Sequence, residues 1–231
     1  MNNSAAASSA RAAAAFLLVA LLVAGCDVLT GGESAPEPGP TTYEVVFEST
    51  WSAETHPDDF PSDAHWSGLI GATHDAGTSI WQPGALASEG IANMAETGAK
   101  EPLRSEIEAL IEEGQADSVL SGGGIERSPG SVSLTFEITA SFPRVSLVSM
   151  IAPSPDWFAG VRGVRLLEDD GWTDRREETL YVYDAGSDSG KHYTAPNQAT
   201  TPPTPISQIE HHPFAVEGEV RPVGTLIFTR Q

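Results

Sequence analysis

Apolar and polar residues alternate with a period of two through much of the second half of the chain. Between residues 131 and 139, Val, Leu, Phe and Ile alternate with Ser, Thr and Glu, which is the pattern of a strand with one buried face. Other short runs rich in apolar and β-branched residues predict further strands, separated by breaks that contain Pro, Gly or Asp. Strands are expected at residues 43–50, 131–139, 145–151, 161–167, 179–183 and 223–229.

Two segments between the first two predicted strands follow helical spacing instead. Residues 102–113 begin with a proline, which suits the first turn of a helix, and carry leucines and isoleucines on one face. Residues 87–97 predict a shorter helix that ends at Gly98, and residues 56–81 are expected to be rich in loops. The predicted fold is therefore mainly β, an antiparallel β-sandwich with a short helical insertion.

The first 25 residues have the features of a secretory signal. Arg11 precedes an apolar run over residues 12–24, and this run is shorter than the roughly 20 residues that span a bilayer. Residues 22–26 also resemble a bacterial lipobox, in which the chain is cut before the cysteine and its sulfur is lipidated. An ordinary signal peptide is the alternative, but Cys26 is the one cysteine of the chain and has no disulfide partner.

The chain therefore divides into three parts. We expect a lipoprotein signal peptide at residues 1–25, a lipidated Cys26 with a flexible tether at residues 26–42, and one domain at residues 43–231. Glycines and prolines in the second part prevent regular structure. Such a protein would be anchored to a membrane through its N-terminal lipid, on the periplasmic side or at the cell surface.

The charge of the chain excludes one class of partner. There are 32 acidic and 12 basic residues, giving a formal net charge of −20. No basic patch is present, so nucleic acid is a poor partner. So acidic a surface also repels anionic lipid headgroups, and membrane attachment would depend on the acyl chains.

Acidic residues stand at two turns that follow apolar runs. Asp156 lies in the loop after the strand at 145–151, Asp184 ends the strand at 179–183, and Glu137 lies on an earlier strand. Together these carboxylates could gather at one end of a sheet, and calcium favours such all-oxygen sites. Taken singly, each aspartate is better explained by a turn. Asp188 is either an additional metal ligand or a turn cap.

Three histidines, His56, His65 and His74, lie among several aspartates. Histidine is a common zinc ligand and general base, so a metal-dependent hydrolase is an alternative function. No compact zinc-binding spacing such as His-Glu-x-x-His occurs, and a packed loop layer is the preferred interpretation.

At the acidic loops the chain resembles the spondin domain family, the N-terminal domain of F-spondin and mindin. The resemblance extends over residues 41–231, and its motifs occur in family order. They are Tyr-Glu-Val-Val-Phe at 43–47, His-Pro at 56–57, His-Trp-Ser at 65–67, Gly-Ala-Thr-His at 71–74, Pro-Ser-Pro-Asp-Trp-Phe at 153–158 and Asp-Ala-Gly-Ser-Asp-Ser-Gly at 184–190.

This resemblance implies a β-sandwich and a calcium site whose ligands match Glu137, Asp156 and Asp184. It implies a recognition or adhesion module rather than an enzyme. The resemblance does not identify the ligand, for which an envelope protein, an extracellular protein or a glycan is our hypothesis. The remaining alternative is a structural envelope protein in which the ion stabilises the fold.

Overall fold

Two antiparallel sheets lie face to face in the computed structural model, which describes residues 38–231. The smaller sheet has four strands, in the order β10 (Arg175–Leu180), β15 (Gly224–Arg230), β1 (Thr41–Ser49) and β5 (Gly130–Ile138). The order in the larger sheet is β12 (Ser207–Gln208), β11 (Val182–Asp184), β7 (Trp157–Arg165), β6 (Arg144–Ala152), β3 (Ile70–His74) and β4 (Ala116–Ser121).

Short elements complete the architecture. The strand β2 (His65–Trp66) pairs with the end of β6, and two small hairpins are formed by β8 (Leu167–Glu168) with β9 (Gly171–Trp172) and by β13 (Ala215–Val216) with β14 (Glu219–Val220). Helices α1 (Glu89–Thr97) and α2 (Leu103–Glu112) lie between β3 and β4 in the chain. The predicted β-sandwich with a short helical insertion is confirmed.

The larger sheet is covered on both faces. One face packs with the smaller sheet in a core that includes Phe47, Leu147 and Phe228. The other packs with the helices in a second cluster that includes Ile91 and Ile107. Eight of the nine residues of β6 are buried as a result, because neither face of this strand is open to water. This explains why residues 145–151 read as a continuous apolar run rather than an alternating one.

The structure places a strand inside the segment that was expected to be loop-rich. β3 is buried over all five residues and pairs with both β4 and β6. Its sequence includes Gly71, whose position is so close to β6 that an added Cβ would collide with the carbonyl oxygen of Ser146. The small residues that permit this approach have low strand propensity, which hides the strand from a propensity argument.

The strand predicted at residues 179–183 is two strands in different sheets. β10 pairs with β15 in the smaller sheet, whereas β11 pairs with β7 in the larger one. The chain crosses between the layers at Tyr181, which belongs to neither strand. A continuous run of β-forming residues cannot by itself reveal such a crossing.

The N-terminal expectations fall largely outside the described residues. β1 begins at Thr41, so the last two residues of the expected tether are strand, and Gly39 accepts a hydrogen bond of 2.9 Å from the indole of Trp172. The predicted signal at residues 1–25 and the lipidated Cys26 are not among residues 38–231. Within that range, no helix has the length and apolar character needed to cross a bilayer.

Candidate functional site

The two acidic loops meet at one end of the larger sheet. The register of β7 against β11 places Trp157 directly opposite Asp184, so Asp156, the residue before β7, comes beside the end of β11. The backbone N–H of Ala185 donates a hydrogen bond of 3.1 Å to the carbonyl oxygen of Asp156. Strand pairing therefore brings together two carboxylates that are 28 residues apart in the chain.

Asp156 is fully buried and holds the second loop in place. Its Oδ2 accepts hydrogen bonds from the backbone N–H and the hydroxyl of Ser187, at 2.8 and 3.2 Å, and from the backbone N–H of Asp188 at 2.9 Å. Its Oδ1 is buried without a hydrogen-bond partner among the described residues. An orphaned buried carboxylate oxygen is costly, and it indicates a position where a water molecule or a cation completes the site.

The other two aspartates differ in how many of their oxygens are engaged. Asp184 accepts one hydrogen bond, at Oδ1 from the backbone N–H of Gly186 at 2.7 Å. Asp188 uses both oxygens, accepting from the backbone N–H groups of Gly190 and Gln198 at 2.7 Å each. Asp188 therefore acts as the turn cap that was one of its two expected roles, whereas Asp184 keeps an oxygen for other contacts.

Burial shifts the acidity of both loop carboxylates in the same direction. It raises the pKa of Asp156 to about 6, with a further rise from the neighbouring Asp184 charge, and the hydrogen bonds from residues 187 and 188 oppose the change. Burial also raises the pKa of Asp184, against the effects of the Gly186 hydrogen bond and of nearby His211. The two acids are destabilised in their charged forms, and a bound cation would relieve this destabilisation.

Gly186 is required by the shape of the second loop. It has a positive φ of 77°, and an added Cβ would collide with the backbone of Thr204. The carbonyl oxygen of Gly186 also accepts a hydrogen bond of 2.9 Å from the N–H of Thr204. Only glycine lets the chain turn directly after Asp184 and pass this close to the neighbouring segment.

An open cleft of about 620 Å³ adjoins the carboxylates. Asp184, Asp188 and Trp157 line it, together with residues that the sequence analysis did not select. These are Lys191, His192, Thr200, Thr204, His211 and His212. Their signal in the sequence is weak: Lys191 is one of only two lysines, and half of the six histidines lie in this group.

An aromatic layer supports the cleft from inside. Phe214 packs edge-on against Trp157 and Tyr193, with ring centroids 5.5 and 5.9 Å apart. Tyr193 also contacts Trp157 and Trp51, at 5.5 and 5.6 Å. Because Trp157 follows Asp156 and Tyr193 follows the cleft residue His192, this packing sets the positions of both walls.

Glu137 is not brought to this site. It lies exposed near the C-terminal end of β5, and residues 139–143 connect that end to the start of β6 at Arg144. Asp156 lies beyond the other end of β6, which has nine residues and is roughly 26 Å long at the rise of a strand. The structure therefore does not bring Glu137 to the Asp156 loop, because β5 and β6 belong to different sheets and are joined at the end of β6 that is remote from this loop.

The three histidines of the hydrolase alternative are also separated. His74 pairs with Arg144 at the start of β6, and His65 pairs with Ala152 at its end. His56 is buried and packs edge-on against Phe214 at 5.9 Å. No group of three or more His, Cys, Asp or Glu side chains within residues 38–231 has metal-binding geometry. This applies to the three histidines and also to the aspartates of the two acidic loops.

The raised pKa of Asp156 predicts a pH dependence in the presence of chelator. The folded protein keeps a proton on Asp156 that the unfolded chain has already released, so the free energy of unfolding should fall as pH rises from about 4 to about 6. A shift of this size corresponds to on the order of 3 kcal/mol. Asp156→Asn should remove this contribution, and Asp169→Asn, at an exposed position, should retain it. Urea unfolding at a series of pH values measures the slopes, and equal slopes in all three proteins would contradict the assignment.

Comparison with known proteins connects this geometry with a family. The Spondin_N family model matches residues 41–217. Spondin-2 from Homo sapiens is 36% identical over 171 residues, which cover 72% of this chain and 52% of that protein. Spondin-1 from Gallus gallus is 32% identical over 190 residues, covering 75% of this chain and 23% of that protein. The chain thus spans about half the length of Spondin-2 and less of Spondin-1. The match over most of the sandwich shows that this chain belongs to the Spondin_N family, the N-terminal domain of the spondins.

Proposed function

We propose that the protein is a lipid-anchored, calcium-binding recognition module on the outer side of a membrane. The observation that carries the proposal is that Asp156 lies beside Asp184, a residue of the cleft wall, with one buried oxygen of Asp156 left without a partner among the described residues. Buried polar atoms normally have a partner, so this oxygen supports a bound species at the site, and the proposal assigns a cation to it.

The residues at this end of the sheet fit a calcium ion in part. Asp156 Oδ1 and the remaining oxygen of Asp184 are hard ligands of the kind that calcium prefers. Calcium takes six to eight oxygens, so backbone carbonyls and water must supply the others. When bound, the ion neutralises the two carboxylates and holds the loops at residues 153–156 and 184–190 together.

The cleft supplies the recognition surface. Its wall combines the Trp157 side chain with threonine hydroxyls, histidines and a lysine, which together offer an apolar contact and both donors and acceptors for a polar ligand. We infer an oxygen-rich glycan or an envelope protein as the ligand class. Catalysis has no support here, since the histidines of the hydrolase alternative lie apart.

A binding screen tests this function. The detergent-solubilised protein is applied to glycan arrays and to immobilised envelope proteins, once with calcium and once with chelator. We expect at least one ligand that is retained only with calcium and is lost with Asp184→Asn. Stoichiometric zinc bound through His56, His65 or His74, together with hydrolysis of an ester, peptide or glycoside that these residues control, would contradict the proposal.

Lipid anchoring makes a separate prediction. Because residues 22–26 match the lipobox pattern, metabolic labelling with a fatty acid should mark the wild-type protein and spare Cys26→Ser. Stable attachment depends on the acyl chains of the anchor. Without the lipidated sulfur, the Cys26→Ser protein should leave the membrane fraction. Equal labelling of the two proteins would show that Cys26 is not the anchor.

A further inference from the structure

Residues 189–198 form a surface loop whose two ends meet. The backbone N–H and the hydroxyl of Ser189 both donate to the carbonyl oxygen of Gln198, at 2.9 and 3.1 Å. The carboxylate of Asp188 closes the same neck, because it accepts the N–H groups of Gly190 and Gln198 on its two oxygens. A loop of this length with joined ends is an Ω-loop, and we call this one the Ω-loop.

The Ω-loop has few ties to the rest of the protein. In the described part of the chain, every hydrogen bond that its residues make stays between positions 188 and 198. Tyr193 is the buried side chain of the loop and packs against Trp157 and Phe214. A segment with so few contacts opens locally at a lower free energy than the sandwich unfolds.

Two contacts join the Ω-loop to the acidic loops. The backbone N–H of Asp188 donates to Asp156 Oδ2 at 2.9 Å, so Asp156 holds the residue whose carboxylate closes the neck. Gly190 lies against Pro155, and an added Cβ at Gly190 would come within 2.7 Å of the proline ring. Separation of Asp156 from the second acidic loop would therefore loosen the neck of the Ω-loop.

The Ω-loop also supplies part of the cleft wall, since residues 189–192 line the cleft beside Asp184. Opening of the loop would remove this part of the wall. We propose that a cation bound at Asp156 and Asp184 holds the Ω-loop closed through Asp188, so that the cleft is complete when the ion is bound. The inference rests on the proposed calcium site and adds the element that the ion controls.

Charge repulsion supplies the physical basis of this coupling. Without the ion, the like charges of Asp156 and Asp184 favour separation of their loops, and the ion removes the repulsion. Asp188 is a positioning residue, because its two oxygens are engaged by N–H groups and it acts on the cleft wall through the neck. If the ion favours closure of the loop, closure favours binding of the ion by the same factor.

Cleavage after Lys191 by a lysine-specific endoproteinase reports opening of the Ω-loop. The chain has two lysines: Lys191 is exposed in the loop, whereas half-buried Lys100 donates hydrogen bonds to Ser121 and to the carbonyl oxygen of Gly122. The detergent-solubilised protein is digested without calcium and with free calcium at a hundred times the dissociation constant that calorimetry gives. Calcium should slow cleavage after Lys191 by about a hundredfold, since cleavage follows the open fraction and an ion that binds only the closed form lowers that fraction.

Asp188→Asn separates the coupling from ion binding. The amide group of asparagine puts a donor where one of the two neck N–H groups needs an acceptor. Cleavage after Lys191 should then be fast with or without calcium, while calorimetry should still detect one calcium ion per chain. Asp169→Asn, at an exposed position, should respond to calcium as the wild type does.

The outcomes distinguish the coupling from the calcium site itself. Calcium binding without slower cleavage after Lys191 would overturn the coupling and leave the proposed site intact. Equal cleavage and equal protection at Lys191 and Lys100 would mean that the whole domain unfolds, which also overturns the coupling. Absence of calcium binding would overturn the coupling and the proposed function together. If Asp188→Asn is cut at both lysines because it fails to fold, the wild-type comparison decides.

Discussion

Adding calcium to the calcium-free protein should raise its free energy of unfolding by about 2.7 kcal/mol when free calcium reaches a hundred times the dissociation constant. The folded state holds Asp156 and Asp184 side by side through the β7–β11 pair, and the unfolded chain does not. Calcium binding therefore stabilises the folded state selectively. Thermal unfolding at constant ionic strength measures the effect, since added salt by itself screens the charge of so acidic a protein.

Point variants at the two loops separate a site from screening. Asp156→Asn keeps an oxygen that can accept the N–H groups of residues 187 and 188 but loses the charge, so it should fold and lose most of the calcium response. Asp169→Asn removes an exposed charge elsewhere and should respond as the wild type does. An equal calcium response in Asp156→Asn and wild type would mean that screening explains the stabilisation.

Phe214→Ala should destabilise the protein by about 3–5 kcal/mol, the usual cost of removing a buried phenylalanine. Phe214 is fully buried and fills the space between Trp157, Tyr193 and His56. The cavity would lie behind both walls of the cleft, so calcium affinity should fall as well. Chemical denaturation measures the loss, with calcium titration as the second readout.

Leu86→Ala is the matched control for this prediction. Leu86 is a large apolar side chain that is 61% exposed, and truncation at such a position changes stability by about 0.5 kcal/mol or less. A cost for Phe214→Ala as small as that for Leu86→Ala would show that the aromatic layer does not support the fold.

The strands of the sandwich core were predictable because one of their faces is buried and the other is not. β5 shows this alternation over its whole length, and β1 and β15 show it against the same core. β3 was missed because its close approach to β6 requires small residues, which weaken the strand signal. The crossing at Tyr181 depends on which sheet each half of the segment joins, and this is a tertiary property.

The candidate site was predictable to a similar extent. Asp156 and Asp184 stand at the ends of apolar runs, and the family resemblance selects these two from many other aspartates. Glu137 was placed with them by its distance along the chain, but its strand belongs to the other sheet and points to the other end of the sandwich. The basic residues of the cleft lie on connecting loops whose positions only the folded structure defines.

Calorimetric titration of calcium into the calcium-free protein at pH 7.5 tests the central claim most directly. In zinc-free buffer the wild-type protein should bind one calcium ion per chain. Asp184→Asn should lose this binding. Glu137→Gln should keep it, because Glu137 lies at the opposite end of β6. Absence of a binding event in the wild type, or binding that survives Asp184→Asn unchanged, would contradict the account.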